Sequence, residues 1–463
     1  MNWKIIQGGM GVGVSTPWLA NVVSKMGGLG TVSGVAADRW LARMLQLGDP
    51  DGKIRNALSN FPFKETAKRI QDTFFVEGGI TKDQLFKNLP VFTFRTPRLL
   101  IDLTVCANFV LVFLAKEACG YPVNMNYLEK IQMPLIYSFT GAMLAGVDYI
   151  TMGAGIPLQV PAILDNLAAG KPVSYRITVD GRSEPALLNF DPAAHFAEEL
   201  PELKRPGFFP IISSNLLSDL FMTKASGSFE GFIVELPTAG GHNAAPRGKY
   251  PLNEKGEPVY GAKDEIFFEK LIKHNKPFWI GGSYASPEQV KYAQSLGAKG
   301  IQAGSIFALS EESGMQKEYK DEIRKLAFNN QLVVKTDLYA SPTGFPFKVV
   351  QLPGTLSQTN VYDARTRICN HGFLTSAYQR PDQSIGFRCA SERTEQYVRK
   401  GGKIEDTENR RCLCNGLIAS SELTNPGEAP ILTLGDDTSF IKHLMKNEND
   451  TYTAADAMEY LLG

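Results

Sequence analysis

The chain carries no excess of charge of either sign. Its 463 residues include 48 Lys and Arg and 48 Asp and Glu, so the formal net charge at neutral pH is zero. A protein that attracts nucleic acid or an anionic membrane through its overall field needs a clear positive excess. We therefore expect neither as a partner, although this balance allows local basic pockets.

Cysteines and long apolar runs are also scarce. Six cysteines in a chain of this length are too few for a disulfide scaffold, which indicates reduced thiols. The most apolar stretch, residues 105–115, is shorter than the roughly 20 residues needed to cross a bilayer. Residues 4–7 form a strand-like run, with no basic segment and apolar stretch of the signal-peptide type. These features predict a cytoplasmic protein.

What the chain does contain is a repeated unit, in which a short apolar run is followed by a Gly-rich turn and a helical segment. Such runs predict eight strands, at residues 4–7, 29–32, 123–126, 149–152, 210–213, 231–236, 277–280 and 300–302. Strands that alternate with helices predict a parallel sheet, and eight units predict closure into a (β/α)8 TIM barrel. A doubly wound open sheet is the alternative α/β architecture.

Three regions do not fit the minimal repeat. We assign the barrel to residues 1–340, with a charged, helical insertion after strand 2 at 39–97 and a hairpin-like insertion at 171–206. Residues 341–463 are rich in Arg, Asn, Cys and turn residues and form an additional C-terminal unit. We expect this unit to wrap the barrel or to cover its mouth on the substrate side.

Gly-rich clusters follow several of the predicted strands. Barrel enzymes place their active sites at the C-terminal strand ends, where glycine lets backbone N–H groups approach a ligand closely. Barrels frequently bind phosphate with the loops after strands 7 and 8, aided by a helix N-terminus. The predicted phosphate cradle consists of Gly281, Gly282, Ser283, Gly304 and Ser305. Tight turns without a ligand are the alternative interpretation of these glycines.

Of the five histidines, only His242 follows a predicted strand directly, after Gly240 and Gly241. An imidazole titrates near neutral pH, which suits a general base. We expect His242 to project over the barrel mouth and to act as the catalytic base. The alternative is a loop histidine that bonds nearby backbone.

Several of these segments recur in one known family. They are Ile5-Ile6-Gln7-Gly8-Gly9-Met10-Gly11, Gly27-Gly28-Leu29-Gly30, Ala239-Gly240-Gly241-His242, Gly281-Gly282-Ser283 and Ala303-Gly304-Ser305. In this order they resemble the motifs of the nitronate monooxygenases, formerly called 2-nitropropane dioxygenases. The match covers most of positions 4–310 and implies a TIM barrel with non-covalent FMN.

The resemblance also implies which residues hold the flavin. The implied flavin contacts are Gly9, Met10, Gly11 and Asn126, and the implied phosphate ligands are Gly281, Gly282, Gly304 and Ser305. Together with Gly240, Gly241 and Ser283 they make up the predicted cofactor site. His242 is implied as the catalytic base, and no metal site is expected.

The implied reaction is the oxidation of alkyl nitronates or nitroalkanes, with a small-molecule substrate and O₂ as partners. FMN would accept the electrons and pass them to O₂.

This sequence departs from the family pattern in two ways. Asn243-Ala244 stands where the family often has Arg-Gly, and the insertion and the C-terminal unit are longer than in compact members. An NAD(P)H-dependent enoyl-thioester (acyl carrier) reductase or NADH:quinone reductase of the same superfamily is therefore an alternative. A flavin-binding accessory protein without turnover is another.

Four of the cysteines, Cys369, Cys389, Cys412 and Cys414, fall in the C-terminal unit. Structural zinc usually shows Cys pairs two to four residues apart, and Cys412-x-Cys414 is tighter than that. We therefore expect buried free thiols rather than a metal centre. No feature of the sequence specifies an oligomeric state.

Overall fold

Strands and helices alternate along most of this computed structural model, which describes residues 1–463. The strands are β1 (Ile5–Gln7), β2 (Gly30–Ser33), β3 (Val123–Leu128), β4 (Tyr149–Gly153), β5 (Val173–Ile177), β6 (Val179–Asp180), β7 (Ala186–Phe190), β8 (Gly207–Ile212), β9 (Phe232–Glu235), β10 (Phe278–Gly281), β11 (Gly300–Ala303), β12 (Val334–Asp337), β13 (Phe347–Val350), β14 (Ser376–Gln379) and β15 (Ile385–Arg388).

The α-helices are α1 (Pro17–Lys25), α2 (Ala37–Gln46), α3 (Lys53–Ser59), α4 (Lys64–Phe74), α5 (Arg98–Ala115), α6 (Leu135–Leu144), α7 (Val160–Ala168), α8 (Pro192–Phe196), α9 (Asn215–Lys224), α10 (Phe268–Lys273), α11 (Pro287–Ser295), α12 (Ser305–Ala308), α13 (Lys317–Phe328), α14 (Thr359–Ala364), α15 (Thr394–Arg399), α16 (Leu413–Ile418), α17 (Ile441–Leu444) and α18 (Ala454–Leu462). Two short 3₁₀ helices lie at Ala262–Asp264 and Ile404–Thr407.

Eight of the strands form a closed parallel barrel. Their order is β1-β11-β10-β9-β8-β4-β3-β2, and every neighbouring pair is parallel. The Gln7 N–H group donates to the Leu29 carbonyl oxygen at 3.0 Å, which joins β1 to the start of β2 and closes the sheet. All eight predicted strands are confirmed, with ends that differ by at most three residues. The barrel therefore replaces the open-sheet alternative.

Local sequence explains where the barrel helices begin. Helix α1 starts with Pro17, and the Thr16 hydroxyl accepts a hydrogen bond from the Leu19 N–H group at 3.0 Å. The helix after β10 repeats this arrangement, with Ser286 before Pro287 and an accepting serine hydroxyl. Hydroxyl caps satisfy free N–H groups of the first turn, and proline at the first position loses no hydrogen bond.

Aromatic and aliphatic side chains fill the N-terminal end of the barrel. Five buried residues from different strands form a cluster apart from the main core: Ile6, Leu29, Phe209, Ile233 and Trp279. Trp279 donates its indole N–H to the Trp3 carbonyl oxygen at 2.9 Å, and the Trp3 ring packs edge-on against Tyr149. This end is closed, so a ligand must enter at the carboxyl ends of the strands.

The insertion after β2 is helical only in its first part. Helices α2, α3 and α4 continue as far as Phe74, but residues 75–97 contain neither helix nor strand. Gly78 and Gly79 have φ values of 76° and 78°, in the left-handed region that interrupts a helix. The prediction of a helical insertion over 39–97 therefore does not hold for its second part.

Helix α5 is long and apolar enough to cross a membrane, with a mean hydropathy of 2.0 over 18 residues. In this fold 78% of the helix is buried, and it packs against α1, α2, α3 and α6. Its fully buried Asp102 carboxylate accepts from Arg69 and pairs with His195, each at 2.7 Å. Helix α5 is thus a core helix that ties the insertion to the segment around α8.

The hairpin and the C-terminal unit meet in one small sheet. Strands β5 and β7 of the hairpin pair with each other. The short strand β6, which lies between them in the chain, pairs in parallel with β14 of the C-terminal unit. Strand β14 also pairs with β15, so β6, β14 and β15 form the shared three-stranded sheet. Helix α18 returns to the barrel and packs against α1 and α11. Apolar residues of 341–463 belong to the same core cluster as those of the barrel. The C-terminal unit therefore wraps the barrel and has no separate core.

Candidate functional site

A cavity of about 230 Å³ lies at the carboxyl ends of the barrel strands. All twelve predicted site residues line it: Gly9, Met10, Gly11, Asn126, Gly240, Gly241, His242, Gly281, Gly282, Ser283, Gly304 and Ser305. They lie in the loops after β1 and β9, at the end of β10 and just after it, between β11 and the start of α12, and in β3. Barrel closure brings these distant segments to one rim, which is the usual place for a barrel active site.

A larger groove of about 730 Å³ lies on the outer surface near α13. Half of its 24 lining residues are charged, and its two buried cations already have partners. The Lys320 ammonium donates to three backbone carbonyl oxygens at 2.9–3.0 Å, and Arg324 pairs with Asp321. Small-molecule sites are usually apolar with a few convergent polar groups. The barrel cavity, with 22 hydrophobic lining residues of 42, fits that description better.

The glycines of the rim are required by close packing. A Cβ atom on Gly9 would lie 2.1 Å from the Cβ atom of Asn126. Gly282 has a φ of 108°, and a Cβ atom there would lie 2.8 Å from the Thr238 hydroxyl. A side chain at either position would force the rim apart.

The backbone at β10 and β11 offers free hydrogen-bond donors to this cavity. The N–H groups of Gly282, Ser283 and Gly304 donate to no acceptor within the protein. The buried Gln302 side-chain amide nitrogen, on the same wall, also lacks a partner. The three backbone donors are half-buried and converge with the buried Gln302 nitrogen, and such a cluster of free donors suits a ligand with several acceptor oxygens. A phosphate fits this donor set.

The C-terminal unit is hydrogen-bonded to the segments after β9 and β11 that line the cavity. The Gly435 N–H group donates to the Ser305 hydroxyl at 2.8 Å. The Gly241 N–H group donates to the Thr433 hydroxyl at 2.8 Å. Residues 433–435 therefore cross the barrel mouth between the two glycine loops and form part of the cavity wall.

His242 lies between the barrel and the C-terminal unit. Its Nε2 atom is 2.7 Å from the Ser341 hydroxyl, which in turn is 2.8 Å from the Thr343 hydroxyl. Its ring packs edge-on against Phe347, with the ring centroids 4.9 Å apart. Both the tilt and the position of the imidazole therefore depend on residues beyond 340.

The surroundings keep His242 neutral. Loss of hydration lowers the pKa of the imidazole to about 3, and the positive charge of Lys130 acts in the same direction. A general base works best when its pKa lies near the working pH. In this state His242 is a neutral hydrogen-bonding group, and its basicity depends on a negative charge developing nearby.

Two further titratable groups belong to the surroundings of this cavity. Glu235, the last residue of β9, lines the cavity, and burial raises its pKa to about 7 against the opposing charge of Lys130. Burial lowers the pKa of Lys130 to about 8. The Lys130 ammonium donates to the Ala154 carbonyl oxygen at 3.1 Å and lies 3.5 Å from the centre of the Phe345 ring.

Sequence reasoning missed these groups. Glu235 was detectable as the one charged residue within the apolar strand β9, since a carboxylate in a buried strand is costly and often functional. Lys130 and Ser341 carried no comparable signal. Their role follows from the approach of distant segments to His242.

Comparison with known proteins bears on the fold. No family model matches the chain, and no curated protein matches it in sequence. The enoyl reductase domain of MlnA from the macrolactin biosynthesis cluster of Bacillus amyloliquefaciens superposes with a TM-score of 0.51 at 12% identity, over 100% of this chain and 94% of that one.

Two other solved structures are similar over nearly the whole chain. FabK from Thermotoga maritima gives a TM-score of 0.49 at 16% identity, over 100% of this chain and 92% of that one. A nitroalkane oxidase from Streptomyces ansochromogenes gives 0.48 at 12% identity, over 99% and 94%. The likeness to the MlnA domain supports the shared fold, and any activity must be argued from the site.

Fold and site together define this chain as a (β/α)8-barrel protein with a small-molecule cavity at the carboxyl ends of its strands. Backbone donors for an anion line this cavity together with His242 and Glu235, and Lys130 lies near enough to shift the pKa of both side chains.

The raised pKa of Glu235 predicts a pH-dependent stability. The folded state binds a proton on Glu235 between its unfolded pKa of 4.5 and its folded pKa of about 7. This contribution is complete below pH 4.5 and is lost as the pH rises through 7. We expect Glu235→Gln to gain roughly 3 kcal/mol of unfolding free energy relative to wild type between pH 4.5 and 8. Urea unfolding at each pH measures it.

The matched control is Glu254→Gln, at an exposed position. Its unfolding free energy should change with pH in parallel with wild type. If Glu235→Gln does so as well, the Glu235 carboxyl is not held protonated by the fold.

Proposed function

We propose that this protein is an FMN-dependent oxidoreductase that oxidises alkyl nitronates or nitroalkanes with O₂. The observation that carries the proposal is the meeting of all twelve motif residues in one cavity with free backbone donors. Those residues are separated by up to about 300 positions, so their meeting is not a consequence of sequence proximity. This meeting supports the motif resemblance to nitronate monooxygenases.

In this proposal the free N–H groups of Gly282, Ser283 and Gly304 hold the FMN phosphate. The loop from Gly9 to Gly11 and the Asn126 side chain, which line the same cavity, would contact the flavin. When bound, FMN supplies the two-electron redox chemistry. The protein contributes binding, orientation and exclusion of water.

His242 then faces the substrate. A neutral imidazole is the form that accepts a proton, and the negative charge of a forming nitronate would stabilise the resulting imidazolium. Ser341 holds the ring by its Nε2 atom, 2.7 Å away. Glu235, with a pKa of about 7, lines the same cavity and is suited to exchange the proton near neutral pH. We propose His242 as the catalytic base and Glu235 as its proton-exchange partner.

A second candidate is an NAD(P)H-dependent reductase of an enoyl thioester or a quinone. It is favoured by the apolar wall that the C-terminal unit adds to the cavity, which suits an acyl chain. That wall includes Phe373, Leu374, Leu413, Leu417, Leu432 and Leu434. The MlnA domain, with the same fold, is an enoyl reductase.

FMN binding should depend on the close approach at Gly9. A methyl group in Gly9→Ala would overlap Asn126, so that the loop or the amide must move away from the flavin. We expect wild-type protein to be yellow and to retain FMN through desalting, and Gly9→Ala to bind FMN at least 10-fold more weakly. Gly261→Ala, where a Cβ atom meets nothing within 4 Å, should bind normally. A colourless wild-type protein that cannot be reconstituted with FMN contradicts the proposal.

The base role of His242 predicts a substrate-dependent loss. His242→Asn should lower turnover of a neutral nitroalkane about 100-fold or more, since that substrate needs proton removal. Turnover of the preformed nitronate should fall far less. Oxygen uptake with both substrates measures this difference, with His443→Asn, outside the cavity, as control. Equal losses on the two substrates would assign His242 to charge stabilisation instead.

Anaerobic mixing with NADH separates the two candidate functions. The oxidase proposal predicts that NADH leaves the yellow colour unchanged, while an alkyl nitronate bleaches it. Rapid bleaching by NADH, followed by reoxidation with an enoyl thioester or quinone, would favour the reductase. A flavoprotein inert to all of these would be an accessory protein.

A further inference from the structure

The four cysteines of the C-terminal unit gather in two neighbouring pairs. The Cys412 thiol lies next to Cys414, and the Cys369 thiol next to Cys389, and the two pairs are close enough to influence each other electrostatically. All four sulfurs are free thiols. No three His, Cys, Asp or Glu side chains meet at a spacing that would hold a metal ion. Paired thiols without a metal geometry are suited to two-electron thiol–disulfide chemistry.

One of these pairs borders the barrel cavity. Cys414 lines the cavity beside Leu413 and Leu417, and Cys412 lies buried behind it, just before α16. Cys412 precedes the helix, with φ −77° and ψ 89°, and its thiol is hydrogen-bonded to the Cys414 thiol, so the two sulfurs lie together as a disulfide requires. The Cys412–Cys414 pair is therefore placed to act on whatever the cavity binds.

The surroundings of Cys412 favour a thiolate. The Asn415 side-chain amide donates to the Cys412 sulfur at 3.3 Å. Arg365 pairs with Glu428 through Nε, its buried Nη2 atom has no partner, and its guanidinium interacts with the Cys412 thiol. A guanidinium and an amide at one sulfur are what stabilises a reactive thiolate.

The pKa values of Cys412 and Cys414 agree with this geometry. The hydrogen bond from Cys414, with the Arg365 charge and the Asn415 donors, lowers the pKa of Cys412 to about 6 in spite of burial. The pKa of Cys414 is raised well above its usual value by the same pairing and by burial. At neutral pH the pair thus holds one nucleophilic thiolate and one thiol.

We propose that Cys412 and Cys414 form a redox-active dithiol that exchanges an electron pair with the flavin of this cavity. The inference rests on the proposed FMN site. Oxidation of the pair forms one S–S bond, releases two electrons and frees the proton of Cys414. FMN bound in the cavity would supply the acceptor for both electrons and that proton, so the step balances in either direction.

Electron counting tests this assignment independently of turnover. Holoprotein oxidised with ferricyanide is titrated anaerobically with dithionite, and FMN content is measured separately. We expect four electrons per FMN for wild type, and two for the double variant with Cys412→Ser and Cys414→Ser. The double variant with Cys369→Ser and Cys389→Ser should keep four electrons, and so should Cys119→Ser, outside the C-terminal unit.

Thiol counting in denaturant supplies a readout that needs no flavin. Wild type should show four free thiols after oxidation and six after reduction, and Cys119→Ser should keep the same difference of two. Peptide mass spectrometry should assign the lost pair to residues 412 and 414.

Three results would overturn the inference. One is an uptake of only two electrons by wild type, with six thiols after oxidation. Another is loss of the extra electrons in the variant at 369 and 389 but not in the variant at 412 and 414. The third is stoichiometric iron or zinc bound by the four cysteines. Normal FMN binding in any of these cases leaves the proposed function standing. Absence of FMN binding overturns both proposals, whatever the thiol count.

Discussion

Closure of the parallel barrel is the constraint on which the rest of this structure depends. Strand β1 hydrogen-bonds to β11 on one side and to the start of β2 on the other, so the sheet has no edge. Closure forces all eight strands to end at one rim, and the aromatic cluster around Trp279 blocks the opposite end. Glycine loops that are up to about 300 residues apart in the chain therefore share a single cavity.

The C-terminal unit completes this cavity as well as covering it. Hydrogen bonds from its backbone and side chains reach Ser305, Gly241 and His242. Its apolar residues continue the barrel core, so the unit has no separate hydrophobic centre. The position of the imidazole and the shape of the substrate wall are consequently set by residues that a minimal barrel lacks.

Partial burial shifts the titratable groups of the cavity toward their neutral forms. The pKa of His242 falls to about 3, that of Lys130 falls to about 8, and that of Glu235 rises to about 7. All three shifts have burial as their largest cause, because desolvation penalises whichever form is charged. Cys412 is the exception, since the hydrogen bond from Cys414, the guanidinium of Arg365 and two donors from Asn415 outweigh its burial and lower its pKa.

Much of this architecture was determined by local sequence. Eight apolar runs separated by Gly-rich turns predict the barrel strands, and Thr16-Pro17 and Ser286-Pro287 predict helix starts, because caps and periodicity act over a few residues. The glycine loops and His242 could be found for the same reason. The partners of His242, the burial of Glu235 and the approach of Arg365 and of the other two cysteines to Cys412 and Cys414 could not, since each depends on segments separated by tens to hundreds of residues. Only the tertiary structure decided these contacts, because desolvation and hydrogen bonding at the site depend on distances that no local pattern encodes.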